Sequence, residues 1–145
     1  MAESSAKLHT PQILVLGGIN MGLITKIPRI PLLGETLRGE EFYASPGGKG
    51  ATQAVAAARL NAKVKMFGKV GNDLFGPKLL ETLQHDEVDI NGVTITPNHH
   101  SGVGIILLDK HGQNRVMATY GANLECGNEQ SNAVQNSLAH ADALL

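Results

Sequence analysis

A cluster of three glycines around one lysine is the feature of this sequence best suited to chemistry. Gly47, Gly48 and Gly50 surround Lys49, and a segment of alanine-rich, helical composition follows directly. Glycines leave backbone N–H groups uncovered, and the start of the following helix carries a partial positive charge. The lysine adds hydrogen-bond donors. This combination predicts a site for an oxygen-rich small molecule, either a polyhydroxyl compound or a phosphate.

The two common nucleotide-binding motifs do not fit this cluster. A P-loop requires Ser or Thr after its Gly-Lys pair, whereas Lys49 is followed by Gly50. A dinucleotide-binding fingerprint requires a third glycine where Gln53 stands. The simpler explanation of the cluster is a tight strand-to-helix turn with a solvated lysine. Three glycines are more than such a turn needs, so we favour close approach of an oxygen-rich ligand to the backbone, with Lys49 donating to its oxygens.

The sequence around this cluster resembles the first signature region of the ribokinase (PfkB) family of ATP-dependent sugar kinases. The match is nearly continuous over residues 47–59, GGKGATQAVAAAR, and resumes over residues 68–76, GKVGNDLFG. Other segments match in the same order along the chain: ILVLGGIN (13–20), PLLGETLR (31–38), SGVGIILL (101–108) and YGAN (120–123). The resemblance implies an α/β fold in which a parallel sheet has helices on both faces and carries a small β lid.

The resemblance also assigns sugar binding to a set of residues, namely Asn20, Gly22, Gly47, Gly48, Lys49, Gly50 and Thr52. Asn20 follows a short apolar run and two glycines. Polar residues at the carboxyl end of a parallel strand lie where ligands bind in such sheets. From position alone, a turn-forming asparagine is an equally good interpretation of Asn20, and the resemblance favours the sugar-binding one.

Two of these positions depart from the family pattern. Ribokinase-like members usually have aspartate at the position of Gly22 and asparagine at the position of Thr52. Glycine cannot accept hydrogen bonds from adjacent hydroxyls, and threonine lacks the paired donor and acceptor of an amide. Each hydroxyl left unpaired would cost about 1–3 kcal/mol. These departures weaken the case for ribose and leave open a different sugar or a chain that has lost catalytic function.

Family members are considerably longer than this chain of 145 residues, and their ATP-site glycine motif and catalytic aspartate lie in the second half. No Gly-Ala-Gly-Asp occurs here, and residues 141–145, ADALL, read as the start of another buried strand. We therefore expect a truncated, N-terminal half of the domain over residues 11–145, with lid strands at about 21–46 and 101–120. No catalytic residue is expected in this chain. The resemblance implies ATP and Mg²⁺ in a complete member, and no cofactor for this chain alone.

Composition argues against several other classes of function. A formal net charge of −1 gives no electrostatic basis for binding nucleic acid or a membrane. Cys126 is the only cysteine, so no intrachain disulfide can form, and a reducing, cytoplasmic compartment fits. No apolar run approaches the ~20 residues of a membrane span. Residues 1–10 are small and polar, which predicts a disordered head rather than a signal peptide.

Hydrophobic periodicity predicts alternating strands and helices. Strands are expected at 13–16, 23–27, 41–44, 64–67, 102–108 and 115–119, and helices at 51–60, 75–86 and 129–139. The alternation predicts a parallel core sheet, and the hairpin-like strands predict a separate small sheet. That sheet would be the lid, and two lids could pair in a homodimer.

Three polar features outside the cluster have simpler explanations. Asp73 lies just before a predicted helix, which favours an N-cap over a catalytic carboxylate. His99 and His100 lack a third ligand at metal spacing and are typical of a solvated loop. Cys126 has no obvious basic partner along the sequence and is interpreted as incidental.

The main hypothesis is an ATP-dependent, ribokinase-like kinase that phosphorylates a primary hydroxyl of a pentose or related sugar. This chain would supply the sugar site and the lid. Two alternatives stay open. One is a nucleoside or fructose kinase of the same family. The other is an inactive, truncated fragment that binds sugar weakly or only dimerises through its lid.

Overall fold

The computed structural model describes residues 9–145. Its main elements follow the chain in the order β1 (Gln12–Leu16), β2 (Asn20–Ile27), β3 (Glu41–Gly47), α1 (Lys49–Arg59), β4 (Lys63–Gly71), α2 (Phe75–His85), β5 (Asp89–Thr96), β6 (Gly102–Asp109), β7 (Asn114–Thr119), α3 (Asn128–Ser137) and β8 (Ala143–Leu144). Short 3-10 turns at Gly121–Glu125 and Leu138–His140 precede and follow α3. Of the head predicted at residues 1–10, all but residues 9 and 10 lie outside the described part of the chain.

Four parallel strands form the core sheet, in the order β5-β4-β1-β8. Successive side chains of β1 face opposite sides of the sheet. Val15 packs on one side against the buried residues of α1 and α2, among them Ala54 and Leu79. Leu14 packs on the other side with Phe67 and with Val134 of α3. The prediction of a parallel sheet with helices on both faces is therefore confirmed.

The strand β5 was not predicted from the sequence. Its segment, DINGVTIT, is interrupted by Asn91-Gly92, a dipeptide that is typical of turns. Pairing with β4 makes it a strand, and the ladder shifts register between Lys65 and Phe67. At Gly92, a Cβ atom would lie 2.5 Å from Cδ1 of Phe67. The glycine that resembles a turn signal is thus needed for close contact with a neighbouring aromatic ring.

The remaining four strands form a second sheet, in the order β3-β2-β6-β7. β2 pairs parallel with β6, whereas β3 and β7 are antiparallel edge strands. The prediction of a separate small sheet is confirmed, although β2 begins at Asn20 and β3 continues to Gly47, three residues beyond each predicted bound. The extension matters because it carries both strands up to the glycine cluster.

The link between β2 and β3 is held by one bidentate ion pair. Arg29 donates from both terminal nitrogens to the Glu35 carboxylate, which also accepts the N–H of Leu32. The hydrogen bonds from Arg29, followed by that from Leu32, lower the pKa of Glu35 to about 2. The two exposed leucines of this segment, Leu32 and Leu33, are therefore presented by a loop with defined internal contacts.

β8 corrects one prediction for the last residues of the chain. Residues 141–145 were expected to begin a buried strand, but Leu144 and Leu145 are half exposed. β8 pairs with β1 on one side only, and backbone hydrogen bonds join Leu145 to Leu14 and Leu16. Its other edge has no neighbouring strand among residues 9–145. One-sided pairing accounts for the exposure.

Candidate functional site

Asn20 lies where the two sheets meet. The chain leaves the core sheet after Leu16, crosses through Gly17-Gly18-Ile19, and enters the second sheet at Asn20. There Asn20 is paired with Gly47 of β3 on one side and with Gly102 of β6 on the other. Asn20 is therefore the first residue of a central strand and not a turn residue. Its side chain stands at a junction formed by glycines.

Asn123 holds the side chain of Asn20. The Nδ2 atom of Asn123 donates to Oδ1 of Asn20 at 2.8 Å and to the carbonyl of Tyr120 at 2.8 Å. The Oδ1 atom of Asn123 accepts the backbone N–H of Ile19 at 2.9 Å. The two asparagines are 103 residues apart in the chain. In the sequence, Asn123 is recognisable only as part of the YGAN segment, and no role for it follows from that pattern.

Two glycines make this junction sterically possible. Gly48 has φ +98°, and a Cβ there would lie 2.4 Å from the carbonyl oxygen of Gly18 and 2.9 Å from the backbone nitrogen of Asn20. A Cβ at Gly102 would lie 2.0 Å from Oδ1 of Asn20 and 2.3 Å from Nδ2 of Asn123. Any larger residue at either position would displace Asn20. Gly48 belonged to the predicted site, whereas Gly102 was not singled out.

The rest of the glycine cluster divides into an open part and a packed part. A Cβ at Gly47 would meet nothing within 4 Å, so its backbone borders open space. Lys49 is the exposed first residue of α1. Gly50 is buried, and a Cβ there would lie 2.7 Å from Cα of Gly17. The structure therefore gives Gly50 a packing use, close contact between α1 and the loop after β1.

The two positions that depart from the family pattern lie on β2 and α1, the strand and the helix that begin at this junction. Gly22 is two residues beyond Asn20 and faces the same side of β2. A Cβ at Gly22 would lie 3.2 Å from the carbonyl oxygen of Ser45 and 3.3 Å from Cδ1 of Ile24, so a side chain fits after small shifts. Thr52 is exposed in α1 and, with Gly47, lines a cavity of about 220 Å³ between α1 and α2.

A buried serine connects the core sheet to the second sheet. Asp73 accepts the backbone N–H of Phe75 and Gly76 at 3.1 and 3.0 Å, which confirms the predicted capping of α2, one residue before the Leu74 N-cap position. The same carboxylate accepts the hydroxyl of Ser101 at 2.7 Å and its backbone N–H at 2.8 Å. Ser101 is fully buried, and its Oγ accepts the N–H of Gly71. These bonds anchor the residue immediately before β6.

The pKa of Asp73 reflects these contacts. Partial burial by itself would raise it, but the hydrogen bonds from Ser101, Gly76 and Phe75 together outweigh burial and hold the pKa below its usual value. The side chain is thus an ionised acceptor at neutral pH, with its bonding capacity used by structural donors. A capping and anchoring role explains Asp73 without any catalytic one.

The side chains that could ligate a metal are not clustered in the part of the chain that the structure describes. Between residues 9 and 145, no group of three His, Cys, Asp or Glu side chains could hold a metal ion. The ring of His99 instead contacts the carbonyl of Pro97, and that of His100 the carbonyl of Ser101. Neither histidine therefore belongs to a three-residue metal-binding cluster among residues 9–145. No helix in the same range is long and apolar enough to cross a membrane.

Comparison with known proteins identifies the family. Residues 10–145 match the model of the pfkB family carbohydrate kinases. The chain belongs to this pfkB family. Ribokinase of Schizosaccharomyces pombe is 42% identical over 117 residues, which are 77% of this chain and 37% of that protein. Other matches likewise span well under half of the pfkB relatives' own length.

Two solved structures of pfkB relatives place the fold in the same group. Ribokinase from Giardia lamblia superposes with a TM-score of 0.85 at 25% identity, covering 94% of this chain and 41% of that one. Arabidopsis thaliana ribokinase, solved in complex with ribose and ATP, gives a TM-score of 0.70 at 31% identity, with 79% of this chain and 38% of that one covered. The two-sheet arrangement described above is therefore a ribokinase fold over its matched part.

Proposed function

We propose that this chain supplies the sugar site and lid of an ATP-dependent sugar kinase that phosphorylates a primary hydroxyl of a pentose or related sugar. The observation that carries the proposal is the junction at Asn20, where an oriented amide meets the glycine cluster and the start of α1. Relatives named ribokinase support the reaction class. The activity is proposed for the whole protein, since the chain covers less than half of each of these relatives.

The residues at the junction suit a polyhydroxyl ligand. At the start of α1 the N–H of Ala51 donates to the carbonyl of Gly18, which leaves those of Lys49 and Gly50 without a partner within the helix, and the helix dipole adds partial positive charge at the same end. Gly47 and Gly48 let a ligand approach the backbone closely, and Lys49 can reach ligand oxygens with its ammonium. Asn20 adds a side-chain amide from the opposite side. All of these groups donate hydrogen bonds, and hydroxyl and ring oxygens accept them.

The second sheet would act as the lid over this site, with its strands within about residues 21–46 and 101–120. Its β2 and β6 begin at Asn20 and Gly102, so the base of the sheet is part of the junction itself. A sheet closing over a bound sugar excludes water from the reacting hydroxyl and limits unproductive hydrolysis. ATP with Mg²⁺ would supply the phosphoryl group. The residues described here would bind the sugar, orient it and shield it.

A nucleoside or fructose kinase of the same family is the second candidate, and Gly22 favours it. Glycine at this position removes a possible partner for two adjacent hydroxyls. A ligand with a different arrangement of hydroxyls would lose fewer hydrogen bonds here than ribose would. An inactive chain that retains weak sugar binding is the third.

Calorimetric titration of the chain with ribose, fructose and adenosine tests the proposal. We expect one of the three to bind, and Asn20→Ala to weaken that binding at least tenfold. Asn132→Ala is the matched control, because Asn132 lies exposed on α3, away from the junction. Sugar-dependent ATP turnover is expected only for the protein in full length. Absence of binding by all three ligands, or binding that Asn20→Ala leaves unchanged, would overturn the proposal.

A further inference from the structure

We infer that Asn123 is a positioning residue that turns the amide of Asn20 into a hydrogen-bond donor toward the bound sugar. The inference rests on the proposed function and deepens it. Asn123 itself touches no ligand in this scheme. It acts through Asn20, and it therefore determines which kind of ligand atom the junction accepts.

The orientation of the Asn123 amide follows from backbone groups alone. One end of the amide lies 2.9 Å from the backbone nitrogen of Ile19, which can only donate. The other end lies 2.8 Å from the carbonyl of Tyr120 and 3.2 Å from the carbonyl of Ile19, which can only accept. The first end must therefore be Oδ1 and the second Nδ2.

The orientation of Asn20 then follows from Asn123. The Nδ2 atom of Asn123 is a donor, so the atom of Asn20 at 2.8 Å must be its acceptor, Oδ1. The other end of the Asn20 amide is consequently Nδ2. It makes no hydrogen bond within residues 9–145, and Asn20 is only partly buried. Gly102 leaves the space in which the two amides meet.

The junction therefore presents two N–H donors from Asn20 at a fixed place. A sugar oxygen, whether hydroxyl or ring, satisfies them, whereas an ammonium group at the same point does not. If the Asn20 amide were reversed, its Oδ1 would face the ligand, and the junction would prefer a donor such as an ammonium group over an oxygen that only accepts. Asn123→Asp is the sharpest change, because it keeps the size and the acceptor toward Ile19 but replaces the donor by a second acceptor. Asn20 must then turn its Nδ2 toward the new carboxylate.

Side-chain amide signals in nitrogen-15 NMR spectra of the chain report this orientation directly. In the unmodified chain, the Nδ2 protons of Asn123 are expected to exchange slowly with water and those of Asn20 rapidly. In Asn123→Asp, the Asn20 protons become protected and shift, and the dissociation constant for whichever of ribose, fructose and adenosine binds the unmodified chain rises about tenfold. Asn132→Asp adds the same charge on α3 and is expected to change neither measurement.

The possible outcomes distinguish failure of the inference about Asn123 from failure of the proposed function. Protected Asn20 protons in the unmodified chain, or an Asn20 signal that Asn123→Asp leaves in place, would overturn the inference. The spectrum of the unmodified chain decides this even if Asn123→Asp does not fold. If the NMR result is as expected but the chain binds none of ribose, fructose and adenosine, the proposed function and the donor role toward a ligand both fail, while the orientation of Asn20 stands.

Discussion

At the scale of single residues, two glycines of β6 provide a matched pair for testing the junction. Gly102 and Gly104 lie two positions apart in one strand and face the same side. A Cβ at Gly102 would overlap Asn20 and Asn123, whereas a Cβ at Gly104 would meet only Cγ1 of Val116, at 3.9 Å. The same substitution at the two sites therefore isolates the effect of the junction from that of strand propensity.

We expect Gly102→Ala to lower the free energy of unfolding by about 1–3 kcal/mol, because it forces the two amides apart. Gly104→Ala should stay within about 0.5 kcal/mol of the unmodified chain. Urea denaturation followed by circular dichroism measures both. Equal effects of the two substitutions would show that Gly102 is not under steric constraint.

Gly22 and Thr52 allow a second test at this scale, of ribose recognition. The double substitution Gly22→Asp and Thr52→Asn restores the groups usual in ribokinase-like members, and the Cβ distances at Gly22 permit a side chain. We expect ribose affinity to increase in the full-length protein, since two ligand hydroxyls would gain partners worth about 1–3 kcal/mol each. Calorimetric titration measures the change. Unaltered or weaker affinity would mean that the site suits another ligand.

At the scale of elements, Asp73 and Ser101 couple the start of α2 to the start of β6. Asp73→Ala removes the acceptor of four hydrogen bonds, two from the helix and two from Ser101. We expect a loss of about 1–3 kcal/mol of unfolding free energy at pH 7. Ser101→Ala should destabilise too. A double-mutant cycle should show coupling between the two residues, and additive losses would contradict a shared network.

The same carboxylate predicts a pH dependence with a definite sign. The pKa of Asp73 is lowered in the folded chain, so its contribution to stability is complete above the usual aspartate value of about 3.9. That contribution is lost as the pH falls through the folded-state pKa. The difference in unfolding free energy between the unmodified chain and Asp73→Ala should therefore shrink from pH 7 toward pH 3. A constant difference across that range would refute the linkage.

At the scale of the whole molecule, the second sheet leaves large apolar side chains exposed. Phe42, Ile105 and Met117 share one of its faces by strand register and are 67%, 44% and 58% exposed. Tyr43 and Val116 are also exposed on the opposite face, so both faces of this sheet carry exposed apolar side chains. Exposed apolar area of this kind is typical of an association surface.

We expect a dimer through this sheet at micromolar concentration, as measured by sedimentation. Ile105→Lys combined with Met117→Lys should favour the monomer, because two charges would enter the apolar contact. Val116→Lys, on the opposite face, is the control and should leave the dimer intact. A monomeric unmodified chain whose second-sheet amides are protected from hydrogen exchange would contradict the prediction.

Local pattern was sufficient for most elements and for part of the junction. The apolar runs of β1 and β4, the periodicity of the helices and the glycine cluster around Lys49 are all properties of a few consecutive residues. They predicted the parallel core and the separate second sheet. They also predicted the capping role of Asp73, since an N-cap depends on its immediate neighbours.

Tertiary structure alone decided the contacts between distant segments. The bond between Asn20 and Asn123 joins residues 103 apart, and it depends on the turn at Gly121–Glu125 lying against Ile19, just before β2. Gly102 is indispensable only because both amides meet over it, and Gly50 is buried only because α1 packs on Gly17. β5 becomes a strand because β4 offers it a partner. Such features depend on which distant segments come into contact in the folded chain. The types of residues that are adjacent in the sequence do not indicate those contacts.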